Sequence, residues 1–516
     1  MPWPERLLLG GIAWVFLASW AGAAAPPTAH DALVYHLHDP ARFLEAGRLF
    51  WIPFTTNSVY PYHAEMLFTA ALALAGRSGG AVLAAGIHWS CGVACVLAAF
   101  ALARRWTDRR GARGASALVA LTPGVANAMA VAYVDLALAM AAAAGALALL
   151  RWRETGRRGW LAAAGLFLGW GLATKYNGLF PGAAGALLLA LPGARRRAGP
   201  AGWTLFLAAV LAVAGPWTAR TWLLTRARFG AGNPVYPFAH RVFGSGFERR
   251  ISDVGMGRTP AAFLLSPWNV TVHPDSFDGP GNGVGPAYLM LLPGLFLFPS
   301  AWRAARPLAA AAGVLYVAWF ATGQSARFLT PCLVLAAPAL VLPVRGRRWA
   351  EAALAAAFLL EAGIVGYFQH GSLALAAGRT SPAAYLARKE RTHAILPALR
   401  ALPPDARILT VNELRHYHLP RSAVEEGLLD QYHDAYPERC GDAGATLAFL
   451  RREGFTHLLV RTREGEAPPP AAPSGPGQVS LRALLRDEAF VARHLAPLAE
   501  ARHDADPRDR TRYVLY

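Results

Sequence analysis

AVLAAGIHWSCGVACVLAAFALARRWTDRRGARG, residues 81–114, joins a mostly apolar run to a short loop holding Arg104, Arg105, Arg109, Arg110 and Arg113. The run through Ala103 is long enough to span, since a bilayer crossing takes about 20 mostly apolar residues. Arginines clustered immediately after a span mark the cytoplasmic side. Working outward from this stretch, the same alternation recurs. Apolar runs over 7–25, 115–131, 136–150, 160–173, 179–191, 203–217, 285–298, 309–322, 328–342 and 349–367 are divided by basic loops at 151–159, 195–197, 303–306 and 345–348. The pattern predicts a polytopic α-helical membrane protein of about 11 spans. The run Met66–Ala75 is too short to cross comfortably and is expected as a re-entrant or interfacial helix. Trp51, Phe54, Tyr60 and Tyr62 before it suit the headgroup belt. That assignment leaves every strong arginine cluster on the cytoplasmic side.

Composition agrees. The 516 residues are 54% hydrophobic and 16% charged, against about 25% charged in an ordinary soluble domain. The net charge of +18 does not point to nucleic acid, because the arginines punctuate apolar runs and form no basic face or tail. Cys91 and Cys95 lie four apart on one helix face, match no zinc-ligand spacing and read as small packing residues, while Cys440 stands alone in the C-terminal region. The N-terminal stretch resembles a cleavable signal peptide, but its apolar core is long for one and it is read as an uncleaved first span. The expected division is a membrane domain over 1–369 and a small α/β domain over 370–516. In the latter, strand-like runs (406–411, 456–460, 512–516) alternate with helical ones (383–402, 443–453), and 464–478 is a Pro/Gly-rich loop. The topology puts this domain outside.

The unusual polar residues then gather at the outer helix ends: Asp31, Asp39, Asp135, Lys175, Arg220, Arg258 and Arg327. An ionisable group in or beside a bilayer is costly to keep, and therefore a functional candidate. For Asp39, Arg220 and Arg258 a solvated helix end explains the residue equally well. Asp31, Asp135 and Lys175 taken together are harder to explain that way.

HDALVYHLHDPARFLEAGRL (30–49), AYVDLALAM (132–140) and GLATKYNGL (171–179) resemble the GT-C glycosyltransferases, in particular the branch of protein O-mannosyltransferases and lipid A aminoarabinose transferases. GNPVYPF (232–238), GMGRTP (255–260), GVGPAYLMLLP (283–293) and SARFLTP (325–331) resemble segments recurring in bacterial members. Many relatives carry a second acid directly after the first-loop Asp, whereas Ala32 stands there in this chain. The resemblance implies an inverting transferase that moves a sugar from a polyprenyl-phosphate donor to a lipid, glycan or protein acceptor. The expected location is the periplasmic face of a bacterial inner membrane. Asp31 is then the general base and Asp135 orients the acceptor or a cation. Lys175 and Arg327, with Arg258 and Arg220 behind them, receive the lipid phosphate. Tyr35, His36 and Tyr236 complete the expected substrate-binding set.

His30, His36, His38 and His63 read first as interfacial residues bonding loop backbone or lipid phosphate. A divalent metal on Asp31, Asp135, His36 or His38 is the alternative. No other cofactor is implied. A transporter or flippase for lipid-linked saccharides, and a non-catalytic membrane scaffold, are the competing functions. The first is expected to place its charges near the midplane within repeated halves, and no repeat is visible.

Overall fold

The structure is a computed structural model of the full chain. It describes residues 3–52, 55, 57–244, 254–420, 423–425, 443–463, 481–505 and 510–516. Phe54, Cys440 and the 464–478 loop lie outside them. The chain divides into two compact units, one of Met1–Ala25, Pro61–Arg220 and Arg250–Arg379, the other of Pro26–Tyr60, Thr221–Arg249 and Thr380–Tyr516.

The first unit is helical. The apolar runs expected to span are mostly helical, from Trp3–Ala23 through Glu65–Ala103, Arg109–Leu121, Asp135–Thr155, Arg158–Thr174, Leu179–Ala190 and Pro192–Phe229 to Pro286–Leu297, Arg306–Ala321, Thr330–Val341 and Arg348–Ala376. The run expected over 115–131 is broken at Thr122, between Arg109–Leu121 and Pro123–Met129. Among the described residues, 6 helices are long and apolar enough to cross a membrane on their own, and Pro286–Leu297 is one of the shorter apolar helices. Small residues line the close approaches: a Cβ on Gly165 or Gly169 would strike the backbone of Phe206 or Val210, as expected where helices associate without a hydrophobic driving force.

The run Met66–Ala75 continues directly into the following helix. The break is at Gly76, with φ +68° and ψ −175°, a conformation only glycine adopts cheaply. A Cβ on Gly80 would meet the Leu72 backbone, so the two halves pack tightly about the bend. The loop 278–285 is fixed by polar groups from neighbouring helices. Asn127 bonds the Gly281 carbonyl and accepts from Gln369, Gly124 N donates to Gly283 O, and the buried Glu361 carboxylate accepts from Ala287 N at the start of Pro286–Leu297.

The second unit holds a five-stranded sheet: β1 (Ile408–Val411), β2 (Ala423–Glu425), β3 (His457–Arg463), β4 (Ala499–His503) and β5 (Thr511–Leu515), in the order β2-β1-β3-β5-β4. β1 pairs in parallel with β2 and β3, while β5 runs antiparallel to β3 and β4. All four residues of β1 are buried, because helices cover both faces of the sheet. Leu409 and Val411 pack with Phe449, Leu450 and Leu458 on one side; Ile408 packs with Leu396, Leu399, Leu459 and Tyr513 on the other. The three apolar runs seen in the sequence are β1, β3 and β5. The helical run expected over 383–402 is interrupted at Glu390, between Pro382–Lys389 and a 3-10 turn at Arg391–Ala394.

Candidate functional site

In the first unit, Asp135 begins the helix Asp135–Thr155 and is 2% exposed. The turn before it is set by His88 of Glu65–Ala103. Leu136 N donates to His88 Nε2 at 3.0 Å, so the ring proton sits on Nδ1 and bonds Val131 O at 2.8 Å. A histidine inside an apolar run thereby fixes where the buried acid points. Lys175 follows Arg158–Thr174 in extended backbone, and its Nζ lies 2.8 Å from Asp135 Oδ1. Arg327 approaches Asp135 Oδ2 at 4.0 Å and pairs with Asp278 Oδ2 at 2.8 Å. Ser325 Oγ donates to the same Asp278 oxygen at 2.8 Å. Phe328 lies under both cations, 4.2 Å from Lys175 Nζ and 5.3 Å from Arg327 Cζ, and Tyr133 lies 5.0 Å from the latter. Two carboxylates and two cations thus meet at the ends of apolar helices, over aromatic faces that favour cations.

Asp278 is absent from the residues expected of the sequence, where it reads as one more acid of a long polar loop. Arg258 donates to the Thr322 carbonyl at 2.8 Å. Its turn is stitched to the segment before Arg327, since Gln324 accepts from Met256 N and donates to Gly257 O. Arg220 is half-buried beside the Trp217 ring, 5.8 Å away.

In the second unit, Asp31 leads into a short π-helical turn, Ala32–His36, closed by Leu37 N on Ala32 O at 2.9 Å. Such turns widen the helix locally and are frequent at functional sites. Tyr35, four residues on, donates its hydroxyl to Asp31 Oδ2 at 3.1 Å and so orients the carboxylate. His36 is 1% exposed, and His38 Nδ1 is 3.0 Å from the buried Asp39 Oδ1. The segment is helical, so His36 and His38 do not share a face as they would on a strand. Among the described residues no group of three His, Cys, Asp or Glu side chains is placed to hold a metal ion, and the chemistry below is derived without one. Tyr236 is fully buried, its ring 5.5 Å from both Trp51 and Phe229; Asn233 shapes its loop by accepting from Val235 N and donating to Phe238 O.

Comparison with known proteins agrees with this architecture. The family described as dolichyl-phosphate-mannose-protein mannosyltransferase matches residues 60–267. ArnT from Cupriavidus metallidurans bound to undecaprenyl phosphate aligns with TM-score 0.59 at 15% identity, over 99% of this chain and 98% of that one. Its apo state aligns with TM-score 0.60 at 15% identity, over 98% and 97%. The archaeal oligosaccharyltransferase AglB from Archaeoglobus fulgidus, in complex with an inhibitory peptide and a dolichol-phosphate, aligns with TM-score 0.50 at 13% identity, over 89% of this chain and 70% of that one. No curated protein matches the chain significantly. The fold is therefore that of ArnT and AglB, and residues 60–267 match the mannosyltransferase family model. The likeness to ArnT in fold extends along nearly the whole length of the chain.

Proposed function

We propose that the chain is an inverting glycosyltransferase using a polyprenyl-phosphate sugar, with Asp31 as general base. The observation that carries this reading is the pair of cations, Lys175 and Arg327, gathered on Asp135 at the ends of apolar helices. A polyprenyl phosphate needs cationic partners just where its isoprenoid chain meets the bilayer. The acceptor hydroxyl attacks the anomeric carbon while its proton passes to Asp31. The bond from that carbon to the phosphate oxygen breaks, and the electron pair leaves with the phosphate. Lys175 and Arg327 stabilise the charge that develops there. Asp135 and Asp278 hold these cations in place before substrate arrives. One-step displacement inverts the anomeric centre.

The test is the membrane of a deletion strain. Loss of one sugar modification, with its polyprenyl-phosphate donor accumulating on the outer leaflet, is expected. Donor trapped on the inner leaflet would instead establish a flippase, and an unchanged lipid-linked glycan profile would leave only a scaffold. Lys175→Ala is expected to raise the donor KM by about 10- to 100-fold, the value of one charge-assisted hydrogen bond, with protein yield followed alongside because the buried Asp135 loses its near partner. An unchanged KM would remove Lys175 from the phosphate site. The location follows from the same reading: a reporter fused after His370 is expected to be active only on the periplasmic side, and cytoplasmic activity would reverse the orientation. Activity is expected to survive a chelator.

A further inference from the structure

The second unit places a chain of buried charges against the turn that carries Asp31. β1 ends at Asn412, in the left-handed region at φ +62°. Glu413 follows, 1% exposed, and accepts from Arg391 Nε at 2.9 Å and Nη2 at 3.2 Å, from Tyr513 Oη at 2.5 Å and from Arg415 N at 2.9 Å. Arg415 Nη1 in turn bonds Glu390 Oε2 at 3.2 Å. Glu390 is itself fully buried, and its other oxygen accepts from Thr392 N and Oγ1. The Arg415 guanidinium is thus held on one side by an acid that cannot move. On its other side, Arg415 Nε reaches His30 Nδ1 at 3.4 Å.

The neighbouring residues continue the contact. Tyr417 N donates to Leu33 O at 3.1 Å, His418 Nε2 donates to Pro27 O at 2.8 Å, and the His416 ring meets that of His38 edge-on at 5.7 Å. Residues 415–418 therefore touch the chain on both sides of Asp31. This is the loop beyond the carboxyl end of a parallel strand, where α/β sheets present their functional groups.

The chemistry of the Arg415–His30 contact is one-sided. A guanidinium only donates, so His30 Nδ1 must carry its lone pair. The imidazole is then neutral with its proton on Nε2, and the side chain is exposed. Protonating Nδ1 would set a donor against a donor and a cation against a cation. We propose that Arg415 is a positioning residue that fixes His30 in its Nε2–H form, making His30 a hydrogen-bond donor beside Asp31 for the group Asp31 acts on. The role beside Asp31 rests on the transferase reading; the Arg415–His30 pairing does not.

The charged groups facing His30 are Asp31, Arg415, Arg391 and Glu413. Burial does most to lower the His30 pKa; Asp31 and Glu413 favour its charged form, and Arg415 and Arg391 oppose it. The pairing is tested without turnover, by acylating histidines with diethyl pyrocarbonate across pH in the full-length protein and quantifying the His30 peptide by mass spectrometry. The midpoint for His30 is expected below the ordinary histidine value of about 6.5. In Arg415→Ala it is expected to rise relative to wild type, with Arg415→Lys in between. A midpoint identical in wild type and Arg415→Ala overturns the pairing. Turnover then tests the role. Arg415→Ala is expected to lose more activity at pH 6 than at pH 8, and His30→Ala to be impaired equally at both. A uniform loss in Arg415→Ala that parallels lower protein yield marks a purely structural residue and overturns the role. If the labelling shift appears while Asp31→Asn turns over normally, the pairing stands and the transferase reading falls.

Discussion

Asp31→Asn is expected to leave a folded, membrane-inserted protein whose sugar transfer falls by about 10²- to 10⁴-fold, the range a general base contributes. The substitution keeps the size of the side chain and its bond from the Tyr35 hydroxyl, an amide oxygen accepting as the carboxylate does. What it removes is the place for the acceptor's proton. Donor binding is expected to persist, because Lys175 and Arg327 are untouched. The measurement is transfer from polyprenyl-phosphate sugar in purified membranes, with donor retention measured alongside. Wild-type turnover in this variant would end the base assignment. Tyr35→Phe is the graded companion: it frees the carboxylate to rotate and is expected to cost far less.

The second large effect is on stability. Glu413→Ala is expected to destabilise the second unit by about 3–5 kcal/mol, because Arg391 is left buried without its carboxylate. Thermal unfolding followed by a fluorescent thiol or tryptophan signal reads it. Replacing Arg391 and Glu413 together by apolar residues should cost less than Glu413→Ala alone. Acid should act through the same place. Burial pushes the Glu413 carboxyl up, but the Arg391 charge, with the bonds from Arg391, Tyr513 and Arg415 N, brings it down to about 2. Burial pushes His416 down to about 3. Both folded values lie below the unfolded ones. The unfolded chain therefore takes up protons that the folded one refuses, and stability falls as pH falls. His416 begins this loss near pH 6.5 and Glu413 adds to it below about 4.5, continuing toward 2–3. His416→Gln is expected to flatten the first part of the curve only. A stability that does not change between pH 7 and 4 would contradict the buried neutral histidine.

The helices were legible because hydropathy is a property of local composition, and the apolar runs expected to span are mostly helix, the one over 115–131 being split at Thr122. Gly76 was not: it is one glycine among fifty, and only its backbone angle shows that the chain turns there. Asp135, Lys175 and Arg327 could be picked out because charge is rare in such runs. Asp278, Glu413 and Arg415 could not, since in polar loops an acid or arginine reads as solvated until its partner is seen. His88 looked like an interruption of a span, and its role as the cap of a distant turn depends on a contact 48 residues along the chain. β2 and β4 escaped notice because AVE and AEARH carry no apolar run. That Pro26–Tyr60 and Thr221–Arg249 fold with the C-terminal residues has no signature in composition at all.

The contact between His30 and Arg415 spans 385 residues. At about 5–20 residues per second, the ribosome needs roughly 20–80 s to reach Arg415 after His30 emerges. The turn that carries Asp31 is therefore synthesised long before the loop that contacts it exists. Every helix between them must be inserted first. A chain stopped short of residue 415 would hold its long apolar helices and yet lack the contacts that seat the Asp31 turn.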